Sequence, residues 1–189
     1  MKILLVQPSP FEPGRIGLEN TIWFCEPVAL TSIAAMVPEH EVRILDMRLE
    51  NEVTLNRVLA EFEPDLVGTT SMTTDCYQAK AILQTAKDTL GEGCFTIVGG
   101  HHPTLMPSDF DDPCVDARCI GEGEDTFREL VEALARKAEL AELMRIPGLQ
   151  LRQKDGSYAA TPKRQQNRLL DEFPAPARHL IEAYRPHYF

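Results

Sequence analysis

The sequence is short of positive charge: 19 Lys and Arg stand against 29 Asp and Glu, a formal net charge of −10. Nucleic-acid binding draws on clustered Lys and Arg, and an anionic membrane surface makes the same demand. So acidic a chain argues against both partners. Long apolar runs are also missing. No stretch approaches the roughly 20 apolar residues that span a bilayer. The opening "MKILLVQP" ends its short apolar run at a glutamine and a proline, too soon for a secretory signal. A cytoplasmic location is the expectation that follows. The cysteines, at 25, 76, 94, 114 and 119, are odd in number and form neither Cys-x-x-Cys nor a finger-like spacing with histidine. They read as structural thiols, with no metal site expected.

The common phosphate-binding signatures are lacking as well. A dinucleotide fingerprint would put Gly-x-Gly-x-x-Gly after the first strand, and a P-loop would put Lys-Ser or Lys-Thr there; neither occurs. Gln7, Thr69 and Ile120 stand about where a receiver domain would carry its acids and its lysine, which excludes that reading too.

What is present is the composition of an ordinary globular domain, 43% hydrophobic and 25% charged over 189 residues, enough for one domain plus appendages. Short apolar runs alternate with helical patterns, the signature of a parallel α/β sheet. "KILLV", "EVRILDM", "DLVGTTS", the run at Phe95, Ile97 and Val98, and "DARCIGEGE" supply five strands. Between them, "EPVALTSIAAMVPE" places Pro27 at a helix start with Val28, Ala29, Ile33 and Met36 as one possible buried face. "TLNRVLAEFEP" offers Leu55, Val58, Leu59 and Phe62 to the core. "DCYQAKAILQTAKDTLGEG" offers Ala79, Ile82, Leu83, Ala86 and Leu90 and ends at Gly91, a left-handed cap. A long helix over 125–143 follows, opening with acids. The β/α units occupy 1–143. "PGLQLRQKDGSYAATP" predicts a hairpin turning at Asp155-Gly156, within 144–162. The remainder, 163–189, reads as an extended connector.

In an open parallel sheet, ligands bind outside the carboxyl ends of the strands, near the point where strand order reverses. Here those ends carry "QPSPFEPGRIG", "TTSMTTD", "GGHHPT" and "GEGED", rich in small, polar and glycyl residues. Gly99-Gly100 lets something bulky approach the main chain, or else merely ends a strand in a turn. His101 and His102 are adjacent on a strand-to-helix loop and are expected to diverge, without a matched nucleophile. Glu122 and Glu124 precede a helix, and capping accounts for Glu124.

Four motifs in order, "TTSMTT", "VGGHHPT", "IGEGEDTFREL" and "LLDEFPAPARHLIEAYRPHYF", resemble the N-terminal cobalamin-binding domain of cobalamin-dependent radical S-adenosylmethionine enzymes. The resemblance implies a Rossmann-like, flavodoxin-like three-layer fold with a five-stranded parallel sheet of order 2-1-3-4-5, plus a C-terminal hairpin and an extended linker. It implies a methyl carrier of a radical methyltransferase, with cobalamin held base-off and His-off, because the loop after strand one lacks the Asp-x-His-x-x-Gly of other cobalamin domains. In that reading Gln7, Pro8 and Ser9 meet the cofactor after strand one. Gly99 and Gly100 let its nucleotide tail pass, while Thr70, Ser71 and Thr73, beside Met72, supply hydroxyls. His101 and His102 lie beside the tail's path, and Gly121, Glu122 and Gly123 complete the rim. The Cys-x-x-x-Cys-x-x-Cys that holds a [4Fe-4S] cluster in this family is absent. The chain therefore reads as the N-terminal piece of a longer enzyme, whose C-terminal radical domain would bind the cluster and S-adenosylmethionine; the "YR…YF" approach is similar to that of hopanoid C-3 methylases. An alternative from another class is a flavodoxin-like interaction or sensory module with a different ligand.

Overall fold

The computed structural model describes residues 1–10, 24–166 and 170–188. In chain order the elements are β1 (Lys2–Gln7), α1 (Val28–Ala35), β2 (Glu41–Asp46), α2 (Glu52–Phe62), β3 (Leu66–Thr70), α3 (Cys76–Leu90), β4 (Phe95–Gly99), α4 (His101–Leu105), β5 (Ala117–Cys119), α5 (Glu124–Ala135), α6 (Leu140–Leu143), β6 (Leu149–Arg152) and β7 (Tyr158–Ala160). They build one parallel-rich sheet of order β2-β1-β3-β4-β5-β6-β7, flanked by helices. In β1, Ile3, Leu4, Leu5 and Val6 are all fully buried. Alternate side chains serve opposite faces, as the period of two requires. Ile3 and Leu5 pack with Leu30 of α1 and Leu130 of α5, whereas Leu4 and Val6 pack with Leu59 of α2 and Leu83 of α3. Each such side chain contributes about 1.5–3 kcal/mol by leaving water.

The chain runs from β1 to β2 on one side and returns to β3 on the other, with Val6 beside both Leu45 and Thr69. That reversal places the switch-point crevice at the carboxyl ends of β1 and β3.

Four expectations are corrected. The sheet has seven strands, not five. The hairpin joins the main sheet, with Arg118 of β5 opposite Gln150 of β6 in antiparallel register. This covers the edge that β5 would otherwise leave open. Arg118, buried, stacks on the Tyr158 ring 3.4 Å away and donates to Gln150 Oε1 and to Asp111. The reversal spans 153–157, with Gly156 at φ +84° and its N–H donating to Gln153 O.

The helix expected over 125–143 breaks after Ala135. Lys137 turns left-handed at φ +58°, and Ala138 N–H donates to Ala133 O, a Schellman-type stop made without glycine. The face expected for α1 is also wrong: Leu30, Thr31 and Ala34 point inward, and Val28 is exposed. Finally, the connector is not extended throughout. Residues Arg178–His187 form a 3-10 helix that buries Ile181, and Tyr188 bridges to Phe24. Tyr188 Oη donates to Asp46 Oδ2 at 2.7 Å, and Arg48 closes on the same carboxylate at 2.6 Å. Burial, and then the bond to Asp46, push the Tyr188 phenol pKa upward, so the hydroxyl stays a donor.

Candidate functional site

The loop after β3 is tied tightly to the turn after β4. Ser71 N–H donates to Gly99 O at 2.8 Å, and Ser71 O accepts from His102 N–H at 2.9 Å. The Ser71 hydroxyl lies 3.2 Å from the buried Asp75 carboxylate, which also accepts Met72 N–H at 2.8 Å. Burial raises the Asp75 pKa despite those bonds and despite the charges of His102 and Arg48. Ser71 thus holds its own loop in shape. Thr70 differs: its hydroxyl makes no hydrogen bond among the described residues, so it remains open to a ligand at the end of a central strand.

Gly100 sits at φ +103°, where side-chain-bearing residues are strained. A Cβ there would lie 2.6 Å from Thr70 Oγ1, 2.9 Å from Ser71 N and 3.0 Å from Ser71 O. The close approach at Gly100 is therefore made by the chain's own loop. At Gly99, by contrast, a Cβ would meet, among the described residues, only Cys119 Cβ, at 3.4 Å. Among the described residues it would meet, at Gly123, Ile33 Cγ2 at 3.6 Å and Cys119 Sγ at 3.7 Å, and at Gly121 nothing within 4 Å. That direction is empty among the described residues at Gly121, whereas at Gly99 and Gly123 it is closed at contact distance by Cys119, itself buried. Thr104 couples this rim to the glycine turn, donating to Gly100 O at 2.8 Å and accepting Gly121 N–H at 3.0 Å.

The two histidines diverge. His101 is exposed, while His102 is buried between Thr73 and Asp109, with ring nitrogens 3.1 Å from Thr73 Oγ1 and 2.9 Å from Asp109 Oδ2. Gln7, Pro8 and Ser9 continue β1 at the same end of the sheet, and Gln7 Nε2 reaches Pro8 O at 3.3 Å. The rest of that loop, with the position expected to lack a cobalt-ligating histidine, lies outside the described residues. Glu122 is half-buried on the rim, and Met72 is exposed beside Thr73. Reading the sequence missed Asp75, Thr104, Asp109 and Cys119. Asp75 could have been found as the carboxylate three residues beyond Met72, where it bonds back to that residue's N–H as a helix-start acid does.

A second cleft, of about 460 Å³, lies at the opposite, amino-terminal ends of β3 and β4, between Asp65, Phe95, Leu134 and Leu151. Its Asp116 is already committed to Lys87 and to Thr96 N–H, at 2.7 and 2.8 Å.

Residues 18–131, more than half of the chain, match the B12 binding domain family. The chain belongs to that family. This B12-binding domain is 36% identical over 187 residues to an uncharacterized methyltransferase, PH0819, of Pyrococcus horikoshii, covering 96% of the chain and 39% of that protein. It is 31% identical over 195 residues to the hopanoid C-3 methylase of Methylococcus capsulatus, covering 100% of the chain and 35% of that protein. The chain thus spans between a third and two-fifths of the length of these curated relatives. Its fold is that of the cobalamin-dependent S-adenosylmethionine radical enzyme OxsB with aqua-cobalamin and S-adenosylmethionine bound: TM-score 0.75 at 19% identity, covering 97% of this chain and 25% of that one. No helix among the described residues is long and apolar enough to cross a membrane.

The residues present fit such a ligand. A bulky planar group needs backbone free of Cβ atoms on one side and hydroxyls for its amide rim. Gly121, with nothing among the described residues within 4 Å of its Cβ position, offers the first, and Thr70 the second. Burial lifts three thiols out of reactivity, Cys119 at the site and Cys114 at the far end of the sheet to about 12 and Cys94, also at the far end, to about 11. Cys25 is exposed. Iodoacetamide on the native protein is accordingly expected to label Cys25 quickly and the four buried cysteines only on unfolding. Mass spectrometry reads this directly, and rapid native labelling at Cys119 would show that its wall is open to solvent.

Proposed function

We propose that the chain is the cobalamin-carrying domain of a radical S-adenosylmethionine methyltransferase. The observation that carries this reading is the set of Gly99, Gly121 and Gly123 at the carboxyl ends of β4 and β5, with open space at Gly121, beside the Thr70 hydroxyl, at the sheet end where α/β ligands bind. The relatives, two of them methyltransferases and one a cobalamin-dependent radical enzyme by fold, support the reaction class. Bound cobalamin would supply methyl-carrier chemistry between S-adenosylmethionine and a substrate.

The chain's own residues do the holding. Thr70 hydrogen-bonds the ligand, and Thr104 keeps the Gly100 and Gly121 turns in one arrangement. Asp75 braces the loop that presents Met72 and Thr73. Support for histidine-off cobalamin comes from His102, whose ring nitrogens are both engaged and which would have to break a bond to reach cobalt. The [4Fe-4S] cluster and S-adenosylmethionine would belong to a radical domain C-terminal to the docked tail.

Mixing the protein with hydroxocobalamin and desalting should leave a near-stoichiometric corrin spectrum. Electron paramagnetic resonance of the cob(II) form should show no nitrogen splitting from an axial ligand. A folded, colourless protein removes the cobalamin reading, and flavin fluorescence in its place would favour the interaction or sensory module. Nitrogen splitting lost in a His101→Ala or His102→Ala variant would remove the histidine-off assignment alone.

A further inference from the structure

His102 is only 5% exposed, and its Phe110 neighbour packs edge-on with ring centroids 5.9 Å apart. Its Nε2 faces Asp109 Oδ2 at 2.9 Å, and an ionised carboxylate only accepts hydrogen bonds. Nε2 therefore carries a proton whether the ring is neutral or charged. Nδ1, 3.1 Å from Thr73 Oγ1, is the atom that varies. In the neutral ring Nδ1 is a lone pair and takes the Thr73 hydroxyl proton, so the exposed oxygen offers only lone pairs outward. In the imidazolium Nδ1 donates to Oγ1, and the hydroxyl proton turns outward. One proton on a buried ring thus reverses the polarity of an exposed hydroxyl.

We propose that His102, clamped between Asp109 and Thr73, switches the Thr73 hydroxyl between acceptor and donor, and that the donor form grips an acceptor atom of the bound corrinoid. The inference rests on the cobalamin reading of the site. Thr73 stands in the same loop as Thr70 and the Met72 rim, and Ser71 O, which accepts His102 N–H, fixes the ring's backbone against that loop. The charged and titratable groups facing the ring are Asp109, on the 3-10 turn Pro107–Phe110, and the buried Asp75 at the start of α3, whose carboxyl senses the His102 charge and that of Arg48. His101 precedes it on α4 and is exposed.

The test is cyanocobalamin affinity of the whole chain between about pH 5 and 8, the range in which histidines commonly titrate, with the His102 charge followed separately by ring NMR. Free cyanocobalamin keeps its benzimidazole on cobalt over this range; base-off binding would free that base to take a proton near the acid end, and a step from this source would survive in Thr73→Val. Affinity should fall roughly three- to tenfold as His102 loses its proton, the worth of one hydrogen bond. Thr73→Val should bind weakly with no step, Thr73→Ser should keep the step, and Asp109→Asn should move it to lower pH together with the NMR titration. Cyanide-capped cobinamide, which lacks the nucleotide tail, locates the acceptor: a step that persists puts it on the corrin amides, and a lost step puts it on the tail. A step unchanged in Thr73→Val, a wild-type affinity that stays flat while the ring titrates, or a ring that holds one charge throughout would each overturn the switch and leave the cobalamin reading standing. Failure of the wild type to bind at any pH would overturn the cobalamin reading itself.

Discussion

Gly100→Val is expected to lower the unfolding free energy by about 3 kcal/mol or more and to abolish hydroxocobalamin retention, with the first loss causing the second. Two costs add. At φ +103° a β-branched residue is strained wherever it points. Its Cβ would also press within 2.9–3.0 Å of the Ser71 backbone, which cannot swing aside as a flexible side chain would. Ser71 is held by Gly99 O on one side and His102 N–H on the other, so any shift that relieves the contact breaks one of those bonds. Urea unfolding followed by circular dichroism measures the first loss, and desalting after hydroxocobalamin measures the second. If the variant keeps wild-type stability and only the ligand is lost, then the space at Gly100 belongs to the ligand after all, as the glycine pair alone suggests in the sequence.

That contrast shows what the sequence could and could not convey. Three of the five parallel strands, β1, β3 and β4, were plainly legible because Ile3 to Val6, Leu66 and Val67, and Ile97 and Val98 are short apolar runs with no polar residue to spoil burial on both faces. Leu55, Leu59 and Phe62 in α2, and Ala79, Ile82, Leu83 and Ala86 in α3, were legible because polar residues between them leave one apolar stripe. In α1, apolar residues surround the axis, so periodicity did not choose between Val28 and Leu30, and packing under α5 did. The α5 stop escaped notice because Lys137, not glycine, takes the left-handed turn. The hairpin was visible in Asp155-Gly156, but its pairing to β5 depends on Arg118 finding Gln150 and Tyr158, a contact over 30 residues away in the chain. The tail's return depends in the same way on Tyr188 meeting Asp46 across most of the molecule. At the site, the strand-end loops could be listed from the pattern. Which hydroxyls are spent internally could not, since Ser71 and Thr70 are neighbours in one motif and differ only in what folds beside them.

Gly123→Leu should do the reverse of Gly100→Val, keeping the fold and losing the ligand. Gly123 has φ −96° and ψ −22°, an ordinary helical conformation open to any residue, and opens α5 without a side-chain cap to lose. A Cβ would sit 3.6 Å from Ile33 Cγ2 and 3.7 Å from Cys119 Sγ, ordinary contact distances that require no movement. Stability should fall by no more than about 1–2 kcal/mol, the loss expected when glycine at a helix N-cap gives way to a poorer capping residue. The bare backbone at Gly123 is thus not demanded by its dihedral angles, and ligand space is the reason the cobalamin reading gives for it beyond the N-cap preference for glycine. A leucine side chain beside Cys119 would occupy that space and overpack any bound corrinoid, a penalty of about 1–3 kcal/mol that corresponds to roughly a ten- to hundredfold weaker affinity. Gly123→Ala, adding one methyl group, should fall between. Cyanocobalamin titration of the three proteins, with urea unfolding as the control, reads the series. A leucine variant that folds and binds as tightly as wild type would move the corrinoid away from the α5 side of the sheet, and Thr70 would then have to serve a ligand lying toward β1.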